Sequence, residues 1–261
     1  MEKKMVLEQV PPEKTAAVLS APDTKTERLV LLCHGFMSSK ESSTNRALTG
    51  RLLPLNIATL RFDLFGHGES EGPFEKLTLS RCLSQTEGLL QWCKENGYLQ
   101  IALVGSSFGG LVAIHTAARH PELFSVALKC PVSDYPPLWR ARLGEAGMKA
   151  WKESGRLSFA TPEGKIRLEY SFYEDLLKYD TYREAAKIQS PTLIVHGEAD
   201  EYVPFDQSLR LFDTLRLTND RKKLEAIPGA NHEFSNLDHF NRMLDRLCLW
   251  LSQNLTTGNS S

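Results

Sequence analysis

Nowhere in the 261 residues does an apolar run approach the roughly 20 residues that span a bilayer. The opening segment, Met1 to Glu8, carries lysines with no apolar signal core behind them, so the expected compartment is cytoplasmic. Cysteine is scarce. Five residues (Cys33, Cys82, Cys93, Cys130, Cys248) form an odd, dispersed set without C-x-x-C spacing, which argues against both a disulfide framework and a zinc site. They are expected to act as small buried hydrophobes. Excess charge is missing too: 31 Lys and Arg stand against 32 Asp and Glu, and bulk charge therefore offers nothing to nucleic acid or an anionic membrane. Small, neutral or weakly charged molecules fit better. No internal repeat is present, and the composition leaves the oligomeric state open, a homodimer included.

What is present reads as one large α/β domain. Hydrophobic residues make up 41% and charged residues 24%, ordinary for a folded soluble chain. Met5 to Gln9 and Ala16 to Ser20, separated by Pro11-Pro12, predict an antiparallel pair. Continuous apolar runs then alternate with helical patterns. Strands are expected at Leu29–Cys33, Ile57–Phe62, Gln100–Val104, Phe124–Lys129, Thr192–His196 and Lys223–Ile227. Helices fall near Thr44–Leu53, Thr78–Lys94, Phe108–Ala118, Phe205–Leu217 and Leu237–Leu251, and Thr256–Ser261 reads as a frayed tail. Such alternation means a mostly parallel sheet. Pro131 to about Ile188 breaks the rhythm and is too long for a simple connection; a cap of short helices, packed down by its tryptophans and tyrosines, is expected.

The chemistry concentrates at Gly105-Ser106-Ser107-Phe108-Gly109, a G-x-S-x-G between an apolar strand and a helix. A serine hydroxyl is a poor nucleophile at its own pKa, so it must stand on a sharp turn within reach of a base and of backbone N–H groups. The glycine frame selects Ser107. The base is expected at His232, on the loop after the last strand; of the other six, His115, His120 and His239 lie on or at the ends of helices and His34, His67 and His196 in separate loop or strand-end motifs. For the orienting acid, Glu198, Asp200 and Glu201 all follow a buried strand, and Asp134 is a rival after the preceding one. The oxyanion donors are expected to be the N–H of Phe108 and that of Phe36, where Gly35 lets the backbone come close. No metal or organic cofactor is required for this chemistry.

His34-Gly35-Phe36, the loop from Asp63 to Ser70, Gly105 to Gly110, His196 to Pro204 and Gly229 to His232 together resemble the α/β-hydrolase family. Within it the chain is similar to small bacterial cinnamoyl/feruloyl esterases and to monoacylglycerol lipase and serine aminopeptidase-like hydrolases, from about Leu29 to Leu251. The resemblance implies Asp200 as triad acid, through the H-G-x-x-D-x-x-V-P pattern, and His232 as base; Glu198 and Glu201 are left as solvated loop residues. It makes the Asp63–Ser70 loop a structural turn beside the site. His34-Gly35-Phe36-Met37 departs from the H-G-G-G of hormone-sensitive-lipase relatives, and serine at 107 excludes dehalogenase and epoxide hydrolase chemistry.

The expectation is a single α/β-hydrolase domain, residues 1–261, with a cap over about 131–188, hydrolysing a small-molecule carboxylic ester. A peptidase or amidase and an acyl thioesterase would use the same triad. A non-catalytic binding protein of the same fold would be expected to have lost a triad member.

Overall fold

The computed structural model describes residues 1–8, 14–161 and 164–255. Gln9, Pro11, Pro12, Pro162 and the 256–261 tail therefore lie outside the described residues.

The apolar runs become strands of one sheet. In chain order they are β1 (Glu2–Leu7), β2 (Thr15–Ser20), β3 (Arg28–Cys33), β4 (Ala58–Phe62), β5 (Gln100–Ser106) and β6 (Ser125–Lys129). A hairpin follows, β7 (Arg156–Thr161) and β8 (Gly164–Glu169), then β9 (Thr192–Gly197) and β10 (Lys222–Ile227). The main sheet runs β1-β2-β4-β3-β5-β6-β9-β10. β1 and β2 join antiparallel, with Met5 opposite Ala17, and every pair from β4 to β10 is parallel. The first strand begins three residues earlier than its pattern predicts. Its Glu-Lys-Lys start carries no alternation to read, and its position is set by the partner strand.

The central strands are apolar on both faces because both are covered. Leu29, Leu31 and Cys33 join one core layer with helices α2 (Leu79–Glu95) and α3 (Phe108–Ala117) and with Leu211 of α7 (Phe205–Thr214). Val30 and Leu32 join the other with α1 (Ser43–Leu52) and α8 (Leu237–Asn254). That period-two division is what strand geometry imposes.

The segment between β6 and β9 departs from expectation. It is not a set of short helices only. It opens with α4 (Tyr135–Ser154), twenty residues kinked at Gly144, then passes through the β7–β8 hairpin before the short α5 (Ser171–Leu176) and α6 (Thr181–Ala185). The hairpin pairs Leu157 with Leu168 and Phe159 with Ile166. Trp151, buried on α4, donates its indole N–H to the Leu168 carbonyl at 3.1 Å and ties helix to hairpin.

Candidate active site

Four loops at the carboxyl edge of the parallel strands converge on one cavity of ≈ 720 Å³. Phe36 and Met37 line it after β3, Ser107 after β5, Asp200 to Pro204 after β9, and His232 and Glu233 after β10. Tyr135, Leu138, Trp139 and Arg142 of α4 form the opposite wall.

Ser107 occupies the turn from β5 into α3 with φ 54° and ψ −116°, a conformation costly for a residue with a side chain. Its surroundings over-determine it. Its N–H donates to Lys129 O on β6 at 2.9 Å, and its carbonyl accepts from Gly110 and Val132. The turn closes only because two glycines meet there: a Cβ on Gly105 would stand 2.3 Å from Gly109 O. Gly35 approaches from the β3 loop so closely that a Cβ on it would lie 3.3 Å from Ser107 Cβ.

Phe108 is the first residue of α3, so its N–H has no intrahelical acceptor. In the β3 loop, Met37 N–H is taken by His67 Nε2 at 3.2 Å, whereas the Phe36 N–H has no protein acceptor among the described residues. Two buried imidazoles brace this loop. His34 Nε2 accepts from Leu64 N–H at 3.0 Å, which leaves Nδ1–H to donate to Gly35 O at 2.8 Å. Burial and the nearby His67 push His34 down to about 3, so it stays neutral. Beneath them Asp63 is fully buried, paired with Lys40 Nζ at 2.6 Å and accepting from the Lys40 and Glu69 N–H groups. The Asp63–Ser70 loop is thus internally bonded support.

His232 Nδ1 lies 2.7 Å from Asp200 Oδ2, and both side chains are buried. Asp200 Oδ1 accepts from the N–H groups of Tyr202 and Val203 at 2.9 and 2.8 Å. Burial alone would raise this carboxyl. Hydrogen bonds from His196, His232 and Val203 outweigh it and hold the group far below the usual carboxylate range.

The structure therefore brings Ser107, Asp200, His232 and Phe36 to one cavity, with Phe108 at the adjoining helix start. It does not bring in Asp134. That residue precedes α4, makes no side-chain capping bond, and lines a separate cavity of ≈ 240 Å³ with Tyr182 and Arg210. Glu198 and Glu201 are exposed, but Glu201 is not merely solvated: its Oε2 accepts the His232 backbone N–H at 3.2 Å. Two neighbours of the Asp200–His232 pair escape sequence reading. Cys130 follows β6 with φ 42°, and its sulfur lies within 4.8 Å of the nearest Asp200 and His232 ligand atoms; burial pushes its thiol up. His196, at the end of β9, places Nε2 3.1 Å from Asp200 Oδ2. His196 ends an apolar strand and Cys130 directly follows one, and neither carries a periodic mark.

Comparison with known proteins adds to this geometry. Residues 80–258 match the model of the prolyl oligopeptidase family. Mitochondrial palmitoyl-protein thioesterase ABHD10 of Mus musculus is 27% identical over 193 residues, 71% of this chain and 63% of that protein. The chain thus spans less than two thirds of that relative's length. Among solved structures, Est1E from Butyrivibrio proteoclasticus with ferulic acid bound superposes with a TM-score of 0.83 at 24% identity, over 97% of this chain and 100% of that one. Alpha/beta hydrolase domain-containing protein 10 from mouse gives 0.80 at 19% identity, over 96% and 99%. The fold is that of the α/β-hydrolases.

Proposed function

The chain belongs to the prolyl oligopeptidase family, a family of hydrolases, and from that premise we propose that it is a serine hydrolase cleaving carboxylic esters of small to medium acyl or aryl groups through an acyl-enzyme. The observation that carries this reading is the strained Ser107 turn opening into the same cavity as the buried Asp200–His232 pair. The whole chain acts as one hydrolase domain, with residues 131–188 as its cap.

In this mechanism Ser107 Oγ attacks the ester carbonyl while His232 Nε2 takes its proton. Asp200 fixes the His232 tautomer with Nδ1–H inward and stabilises the imidazolium that forms. The carbonyl oxygen, now an oxyanion, sits between the Phe36 and Phe108 N–H groups, each contributing about 3 kcal/mol by the precedent for such donors. His232 then protonates the leaving alcohol. Water repeats the sequence on the acyl-enzyme, and the reaction closes without a cofactor. Phe36, Tyr135, Leu138 and Trp139 give the cavity an apolar wall suited to an acyl or aryl group.

An acyl thioesterase is the second reading, favoured by the likeness to palmitoyl-protein thioesterase, and it needs only a different leaving atom. The family match supports a peptidase in the same way. Labelling with a fluorescent fluorophosphonate, wild type against Ser107→Ala, tests the nucleophile. Labelling is expected in the first and absent in the second; a folded wild type that does not label overturns the triad. Turnover of p-nitrophenyl esters, acyl-CoAs and aminoacyl-p-nitroanilides then separates the three chemistries, with esters expected to be cleaved fastest. No helix among the described residues is long and apolar enough to cross a membrane.

A further inference from the structure

The acid of the site is held by a second imidazole. His196 is fully buried, and both ring nitrogens are engaged. Its Nε2 faces two groups that can only accept: the Val203 carbonyl at 3.0 Å, the better aligned, and Asp200 Oδ2 at 3.1 Å. Nε2 must therefore carry a proton. In the neutral ring Nδ1 is then an acceptor, and Ser208 Oγ, 2.6 Å away on α7, supplies the hydrogen. Phe205 packs edge-on against the ring with centroids 5.5 Å apart and closes the site from the same helix.

These bonds form a closed clamp. His196 holds the Val203 carbonyl, Val203 N–H holds Asp200 Oδ1, and Asp200 Oδ2 lies against both His196 Nε2–H and His232 Nδ1–H. The loop that carries the acid is thus tied back to β9, the strand it leaves, and to α7, the helix it enters. A carboxylate so restrained cannot rotate when the His232 ring gains charge.

We propose that His196, with its tautomer set by Ser208, is a positioning residue for the hydrolytic reaction, fixing the orientation of the Asp200 carboxylate toward His232. This rests on the Ser107–His232–Asp200 reading. His196 touches no substrate and acts through Asp200. Among the described residues, the other titratable groups facing the pair are Cys130 just after β6, Glu201 and Tyr202 from the same loop, the Tyr202 ring standing edge-on to His232 with centroids 5.3 Å apart, and His232 from the loop after β10; α7 contributes Ser208 and Phe205.

The test compares His196→Asn, His196→Gln and Ser208→Ala with wild type on p-nitrophenyl esters across pH 5 to 9. Glutamine places an N–H where Nε2–H stood; asparagine does not reach. His196→Asn is expected to lower kcat about 10- to 100-fold with KM within twofold. With one N–H fewer on Asp200, the carboxylate attracts the His232 proton more strongly, and the acid limb of kcat/KM moves to higher pH. Gln should restore most of kcat and the limb, and Ser208→Ala should fall between. A folded His196→Asn with wild-type kcat and limb overturns the proposal, as does equal loss in the Asn and Gln variants with an unmoved limb. Should the Asn variant not fold, histidine-ring ¹H–¹⁵N NMR of the wild type decides: Nε2–H with unprotonated Nδ1 is expected, and an Nδ1–H tautomer overturns it. Fluorophosphonate labelling of Ser107 is recorded first. Absent labelling brings down the triad and this proposal together, whereas intact labelling with the wrong tautomer removes only His196.

Discussion

Asp200 is the residue on which most of the local polar structure converges, and replacing it separates charge from shape. Asp200→Asn keeps the side-chain outline but presents an amide N–H to His232 or forces the other tautomer. It should lower kcat by about 10⁴-fold, as removal of the charge does in other triads, measured by steady-state hydrolysis of a p-nitrophenyl ester. Wild-type turnover in that variant would contradict the assigned acid. At Gly105 the constraint is steric instead. Gly105→Ala drives a methyl group to 2.3 Å from Gly109 O, a backbone atom that cannot swing away. A loss of about 3 kcal/mol or more is expected by urea unfolding, since strand and helix must separate to admit it.

Among the elements, the segment between β6 and β9 shows what sequence could and could not convey. The parallel strands were legible because a strand covered on both faces is apolar throughout, and the motif residues lie at strand ends, where the sheet gathers them. The β7–β8 hairpin was not. Leu157 and Phe159, then Ile166 and Leu168, do alternate with polar residues, but each run is short and lies among aromatics that suit a helix equally well. Pairing, visible only in three dimensions, decides it. His196 is hidden for a related reason: at a buried strand end it reads as part of the apolar run, and only the folded loop, with Val203 seven and Ser208 twelve residues further on, shows what it bonds. Trp151 joins α4 to that hairpin, so Trp151→Ala should cost about 3–5 kcal/mol and open strands β7 and β8 to limited proteolysis before the main sheet unfolds. Cleavage elsewhere first would show that the tie is unimportant.

For the whole molecule, buried histidines set the response to acid. His34 is pushed down to about 3 by burial and by His67, and His115 to about 4 by burial and by Arg119. Their unfolded-state value is about 6.5, so below that pH the unfolded chain takes up protons the folded one refuses. Stability is therefore full above pH 6.5 and falls as the pH drops toward 4, His115 alone accounting for on the order of 3 kcal/mol over that range. Asp200, held below the ordinary carboxylate range, adds a second loss once the pH falls below about 4. Urea midpoints measured from pH 8 to 4 should decline from pH 6.5 downward, and His115→Gln should flatten that decline. A flat wild-type profile to pH 4.5 would refute it.

β6 and β9 are neighbours in the sheet, paired Val126 to Thr192, yet α4, the hairpin, α5 and α6 all lie between them in the chain. Every residue of the α4 wall over the cavity comes from that one stretch, while Ser107, Asp200 and His232 come from outside it. On the proposed reading, that wall can be exchanged as one uninterrupted length of chain without altering Ser107, Asp200 or His232, whereas Phe36 and Met37, which line the cavity from the β3 loop, stay behind.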